Sequence, residues 1–221
     1  MSKTIQLEKK VQSKSAEIAD ELHQFFCERG IFVVNLIGSP GAGKTSLLEA
    51  MAPRLKDQAA VIEGDLQTDE DKRRIEKAGL PAYEINTIGA CHLDAKMIRT
   101  ALHEFPLGQV KYLFIENVGN LVCPAGFALG EDFKVSIISV AEGHDKPAKY
   151  PTALRNSRAM VITKTDLLPY IPCDIHRMEN DALTVNPDLK LFRTSVGEKD
   201  STNAFLDWIT QQAEPRHKGT G

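Results

Sequence analysis

The sequence predicts an α/β fold, a mainly parallel sheet flanked by helices. Three observations lead there. Short apolar runs alternate with segments of helical periodicity along most of the chain. The runs are apolar almost throughout, as strands covered on both faces are. The first of them feeds a glycine-rich turn and then a helical pattern, the strand–turn–helix step from which such folds are built.

The elements follow in order. Residues 3–29 carry Leu7, Val11, Ile18, Leu22 and Phe25 roughly at helical spacing, and Gly30 ends the amphipathic helix they predict. Residues 31–37 read as a strand and 44–55 as a helix. A strand over 59–62 ends at Glu63-Gly64-Asp65, and a helix over 69–78 is closed by Gly79. A short strand over 82–85 and a helix over 93–103 come next. Strands are expected over 112–116, 135–140, 159–162 and 189–193, and helices over 174–185 and 202–212. The polar residues 213–221 are expected to be disordered. The organisation is thus an N-terminal helical extension (1–30), one α/β domain (31–212) and a tail. No repeat, linker or low-complexity block interrupts it.

Composition narrows the class of function. Hydrophobic residues at 42% and charged residues at 26% suit a soluble globular chain able to bury a core without disulfides. A net charge of -3 does not suit non-specific nucleic-acid binding. The N-terminal residues lack the apolar core of a secretory signal, and residues 31–37 are too few to span a bilayer. A cytoplasmic location, with no membrane or nucleic-acid partner, is expected. There the four cysteines serve better as thiols or metal ligands than as disulfides.

Ligands of open parallel sheets sit at the carboxyl ends of the strands. After the first strand, Gly38-Ser-Pro-Gly-Ala-Gly-Lys-Thr45 fits the phosphate-loop pattern G-x-x-x-x-G-K-S/T in its required context. Backbone N–H groups from Ser39 and Gly41 to Ser46, Ala42 and Gly43 included, would cradle the phosphates. Lys44 would supply charge to the β and γ oxygens and Thr45 a hydroxyl to Mg²⁺. A glycine-rich turn without a ligand is the alternative, which the full pattern disfavours.

Thr163-Lys164-Thr165-Asp166 follows the strand at 159–162 and resembles the guanine-reading N-K-x-D motif. The Asp166 carboxylate would accept from both guanine N–H donors, and the Lys164 stem would lie along the ring. Adenine offers no such donor pair, so it would leave a buried carboxylate unpaired. Thr163 departs from the usual Asn. Ser195, Val196 and Gly197, after the last strand, stand where a backbone loop meets the guanine oxygen. Asp65 could hold Mg²⁺. Glu116-Asn-Val-Gly119 takes the place of D-x-x-G, with Gly119 set to meet the γ-phosphate. Lys44, Asp65 and Glu116 are the candidate catalytic residues, and Asn120 stands where many GTPases carry a water-orienting Gln.

Cys91, His92 and Cys123 offer two thiolates and an imidazole, a set suited to Zn²⁺ or Ni²⁺. Two unrelated core thiols and a surface histidine would give the same composition. Neighbouring Cys and His diverge on a regular element, so a turn would be needed for them to converge.

The stretches Asn86-Thr87, Cys91-His-Leu-Asp-Ala95, Glu116-Asn-Val-Gly-Asn-Leu-Val-Cys-Pro124 and Ala141-Glu-Gly-His-Asp-Lys-Pro-Ala-Lys-Tyr-Pro151 closely resemble the HypB family. The likeness runs from about residue 31 to 208. It implies a SIMIBI-type P-loop GTPase that inserts nickel during maturation of nickel–iron hydrogenase. GTP or GDP, Mg²⁺ and Ni²⁺ or Zn²⁺ are the implied ligands. Cys91, His92 and Cys123 become the implied Ni/Zn ligands, and Thr45 and Asp65 those for Mg²⁺. The implied partners are a second copy, joined on GTP or metal binding, a HypA-like nickel protein and the hydrogenase large-subunit precursor. The related UreG family carries Cys-Pro-His where this sequence has Cys91-His92. Some HypB members add an N-terminal Cys-rich or His-rich nickel motif. Residues 1–30 hold one Cys and one His, so nickel storage is not expected. A UreG-like chaperone, a P-loop nucleoside kinase and a non-enzymatic metal-binding module are the alternatives.

Overall fold

The computed structural model describes residues 3–65, 69–87 and 89–218, without the side chains of residues 3–12, Asp65, Lys199 and Lys218. The strands are β1 (Phe32–Gly38), β2 (Ala59–Asp65), β3 (Ala82–Asn86), β4 (Tyr112–Glu116), β5 (Phe133–Ser139), β6 (Ser157–Thr163) and β7 (Lys190–Arg193). The helices are α1 (Lys3–Glu28), α2 (Lys44–Leu55), α3 (Glu70–Ala78), α4 (Ala95–Glu104), α5 (Lys146–Lys149), α6 (Pro151–Arg155), α7 (Ile175–Val185) and α8 (Lys199–Lys218). The strands form one sheet in the order β3-β2-β4-β1-β5-β6-β7, every pair parallel. The α/β architecture expected from the apolar runs is the one observed.

The apolar character of β1, interrupted by the buried Asn35, has a direct cause. Phe32, Val34 and Leu36 face a core that α2, α3 and α8 complete. Val33 faces the opposite layer, where Ile18, Ala19, Leu22 and Phe26 of α1 meet Ile98 and Ala101 of α4. Ile37 joins a third cluster under α6 and α7. With both faces covered, no position of β1 is left for a solvated side chain. Phe26 is fully buried, a contribution of about 2–3 kcal/mol.

One expectation is corrected. Residues 213–218 are not a disordered tail; they continue α8. Ala213 is fully buried, and Arg216 pairs with Asp132 and donates to the Ile31 carbonyl at 2.9 Å. Their polarity belongs to the outer face of an anchored helix. The segment 146–155, to which no element was assigned from sequence, forms α5 and α6, both with proline in the first turn.

The order of strands positions the site. From β1 the chain steps outward to β2 and β3, then returns through β4 and continues to β5 on the other side. The carboxyl end of β1 therefore lies at the point where strand order reverses, with a crevice between its flanking loops.

Candidate nucleotide and metal site

The loop after β1 curls back through Gly41 (φ 71°) and Gly43 (φ 94°), both in the left-handed region that favours glycine. Gly43 caps α2, whose first residues Lys44 and Thr45 are buried. A side chain at Gly38 would lie 2.6 Å from the Ile137 carbonyl of β5, so the turn must start on a glycine. The loop borders a cavity of about 400 Å³, also lined by Glu63, Gly64, Asp71, Arg74 and residues 116–119. Lys44 Nζ lies 3.5 Å from the Ser39 carbonyl across its own loop.

Glu116, at the end of β4, accepts from Thr45 Oγ1 at 2.8 Å through Oε1, while its Oε2 is buried without a hydrogen-bond partner. Burial pushes this carboxyl up to about 7 against the opposing pull of Lys44 and the Thr45 hydroxyl. A hydroxyl beside a buried carboxylate oxygen with no partner fits a hard divalent cation such as Mg²⁺. Asp65 ends β2 on the same rim, opposite Asn86 of β3.

Three loops converge on the other flank of the phosphate loop. Thr163 Oγ1 donates to the Ala42 carbonyl at 2.6 Å, and Lys164 Nζ to the Gly41 carbonyl at 2.8 Å. Thr163 therefore ties the third loop to the first through its hydroxyl. Asp166 Oδ1 accepts from Ser195 Oγ at 2.8 Å, and Thr165 N donates to the Thr194 carbonyl at 3.2 Å. Val196 is exposed beside a small recess bounded by Gly43, Ser46 and Thr163. Gly197 follows on the same rim.

The metal-ligand candidates also meet. One ligand atom each of Cys91, His92 and Cys123 lies within 4.8 Å of the other two. Cys91 and His92 fall in the turn before α4, which the Asp94 side chain caps by accepting from Met97 N at 2.8 Å. The turn lets neighbouring residues aim at one point, as adjacency demands. Cys123 begins a single 3-10 turn, Cys123–Gly126. His92 stacks on Phe127 with ring centroids 4.1 Å apart. Hydrogen bonding with Cys123 and partial burial push the Cys91 thiol up, whereas burial holds the His92 imidazolium below its usual range. A neutral imidazole between two thiols is a donor set for a borderline-soft ion.

Several residues not singled out in sequence hold these parts together. Asn117, 1% exposed, links β4 to β1 and to the Cys91–His92 turn. Arg74 of α3 donates to Ser46 Oγ at 3.0 Å and pairs with Glu49 and Asp71 at the cavity wall. Asn120, in the place of a water-orienting Gln, turns to the metal loop instead. Its Oδ1 accepts from Val122 N at 2.7 Å and Cys123 N at 3.4 Å, and its Nδ2 reaches the Cys91 carbonyl at 3.5 Å. Short polar side chains that bond backbone carry no pattern a single sequence reveals. His144 and Lys146 lie apart: His144 Nδ1 accepts from Asp174 N, and Lys146 faces Glu142. Leu167, Leu168 and Ile171 pack partly into the third core cluster, with Tyr170 exposed.

Comparison with known proteins shows the family and the fold. Residues 32–193 match the profile of the CobW/HypB/UreG nucleotide-binding domain. The chain is 44% identical over 210 residues to hydrogenase maturation factor HypB of Escherichia coli K12, covering 94% of this chain and 72% of the relative. The crystal structure of HypB from Helicobacter pylori in complex with nickel superposes with a TM-score of 0.87 at 35% identity, over 92% of this chain and 97% of that one. HypB of Archaeoglobus fulgidus gives 0.84 at 32% identity, over 91% and 99% of the two chains.

Proposed function

The chain belongs to the CobW/HypB/UreG family, and from that premise we propose that it is a GTP-hydrolysing nickel chaperone of hydrogenase maturation. The observation that carries the reading is one loop. Residues 116–119 line the phosphate cavity, and the same loop ends at Cys123 among the metal ligands. Nucleotide and nickel thus act on two ends of one short segment.

The residues divide the work. The amides of the phosphate loop cradle the phosphates, and Lys44 turns from the Ser39 carbonyl to the β and γ oxygens. Asp166, steadied by Ser195, reads guanine, with Lys164 along the ring and Val196 and Gly197 beside it. Thr45, Asp65 and Glu116 would hold Mg²⁺, which would supply positive charge against the phosphates. Gly119 meets the γ-phosphate. A side chain there would lie 2.8 Å from Pro40 Cγ, so only glycine admits this approach. Intrinsic hydrolysis is slow, below about one turnover per second, because the Asn120 amide is committed to the metal loop.

Nickel is the cargo, held by Cys91, His92 and Cys123. GTP or metal binding joins two copies. A HypA-like nickel protein and the hydrogenase large-subunit precursor are the partners, and the work is cytoplasmic. The test is nickel loading of the purified precursor by the nickel-bound protein, with GTP and with a non-hydrolysable analogue. Loading that needs hydrolysable GTP is expected. Equal loading in both would refute the coupling of hydrolysis to delivery.

A further inference from the structure

We propose that Asn117 is the positioning residue through which the nucleotide cavity controls the metal ligands. This rests on the nucleotide–metal coupling proposed above and assigns it to one side chain.

Asn117 lines the cavity next to Glu116 and is buried. Its backbone N donates to the Leu36 carbonyl at 3.0 Å, and its Nδ2 to Asn35 Oδ1 at 3.3 Å, so both bonds fix it to β1. Asn35 is held in turn by donating to Glu131 Oε1. The remaining atom of the amide is Oδ1. It accepts from Val118 N at 3.0 Å and from Leu93 N at 3.0 Å.

A carbonyl oxygen has two lone pairs, and here one serves each loop. Val118 precedes Gly119, and Leu93 follows His92. A change in the 118–119 backbone on meeting a γ-phosphate therefore acts on the same oxygen that anchors the metal turn. In a buried site neither N–H can be released without loss, because no water replaces the bond. Leu93 adds a second constraint. Its side chain is fully buried over Gly64, where a Cβ would lie 2.7 Å from Leu93 Cγ, and Gly64 itself lines the cavity. The turn carrying Cys91 and His92 is thus pinned between the two strands that frame the phosphates.

The experiment measures nickel dissociation constants with GDP and with a non-hydrolysable GTP analogue for the wild type, Asn117→Ala and Asn35→Ala. The wild type is expected to show a ratio of about fivefold or more between the states, the lower range of allosteric coupling. Asn117→Ala should bring the ratio near one. Asn35→Ala, which cuts the same buried network without touching Leu93 N, should keep it. An equal loss in both variants would make Asn117 a structural residue only and overturn the proposal, as would a ratio retained in Asn117→Ala. A wild-type ratio of one would refute the coupling itself. Should Asn117→Ala fail to fold, amide hydrogen exchange on the wild type decides. Protection of Leu93 and Val118 should change together between the two nucleotide states, and a Leu93 amide indifferent to nucleotide would overturn the proposal.

Discussion

The phosphate cradle and the metal cluster lie at two ends of one loop, yet they are built differently. The cradle stands on β1 and α2, with Lys44 and Thr45 buried and its carbonyls tied by Thr163 and Lys164. The metal candidates stand on two turns, with Cys91 exposed and His92 and Cys123 half-buried. Their geometry depends on a few side-chain amides and one ring stack. A site held by regular elements is set before its ligand arrives. A site held by turns can shift for a small cost, as a site that takes up and releases cargo requires.

The sharpest way to break this contrast is to remove a metal ligand. Loss of residues that only orient metal ligands costs 10–100-fold in affinity, so Cys123→Ala is expected to weaken nickel binding by about 100-fold or more. GDP affinity should stay near the wild-type value. Calorimetric titration checks both, and a parallel fall in GDP affinity would show that the cradle depends on the metal turn for its shape.

A second effect belongs to the cradle. Burial raises the Glu116 carboxyl to about 7. The folded state then keeps a proton that the unfolded chain releases above its ordinary value of 4.5. Stability should fall as pH rises from about 4.5 to 7 and level off above, by on the order of 3 kcal/mol. Chemical denaturation across that range tests the sign, and Glu116→Gln should flatten the slope. A slope unchanged in Glu116→Gln would place the pH dependence elsewhere.

The smallest effect separates the tie from the base-reading function. Thr163→Val keeps the shape and removes the hydroxyl that bonds the Ala42 carbonyl. GDP affinity should fall by about tenfold, the cost of leaving one buried carbonyl unpaired. The preference for guanine over adenine, which we propose Asp166 carries, should not change. A change in base preference would assign Thr163 to base reading.

These contrasts also explain what the sequence disclosed. The cradle was legible because its residues are forced: Gly41 and Gly43 by backbone angles, Gly38 and Gly119 by close approach, Lys44 and Thr45 by chemistry. The strands were legible because burial on both faces leaves runs that are apolar almost throughout. The metal turn was legible only as a donor set, since nothing in the spacing of Cys91 and Cys123 fixes their meeting in space. Asn117 was silent because an asparagine bonding backbone N–H groups looks in sequence like any loop asparagine, and Asn120 was legible only by its place after Gly119, not by its bonds to the metal loop. The last turn of α8 was misread because anchoring through Arg216 and Asp132 is a tertiary fact that local polarity hides.

The most direct test of the central claim is the nickel dissociation constant of the wild-type protein in its two nucleotide states. Measured with GDP and with a non-hydrolysable GTP analogue, the two constants are expected to differ by about fivefold or more, with the reciprocal change in nucleotide affinity when nickel is present. Equal constants in the two states would contradict it, leaving two independent sites that share a loop and nothing else.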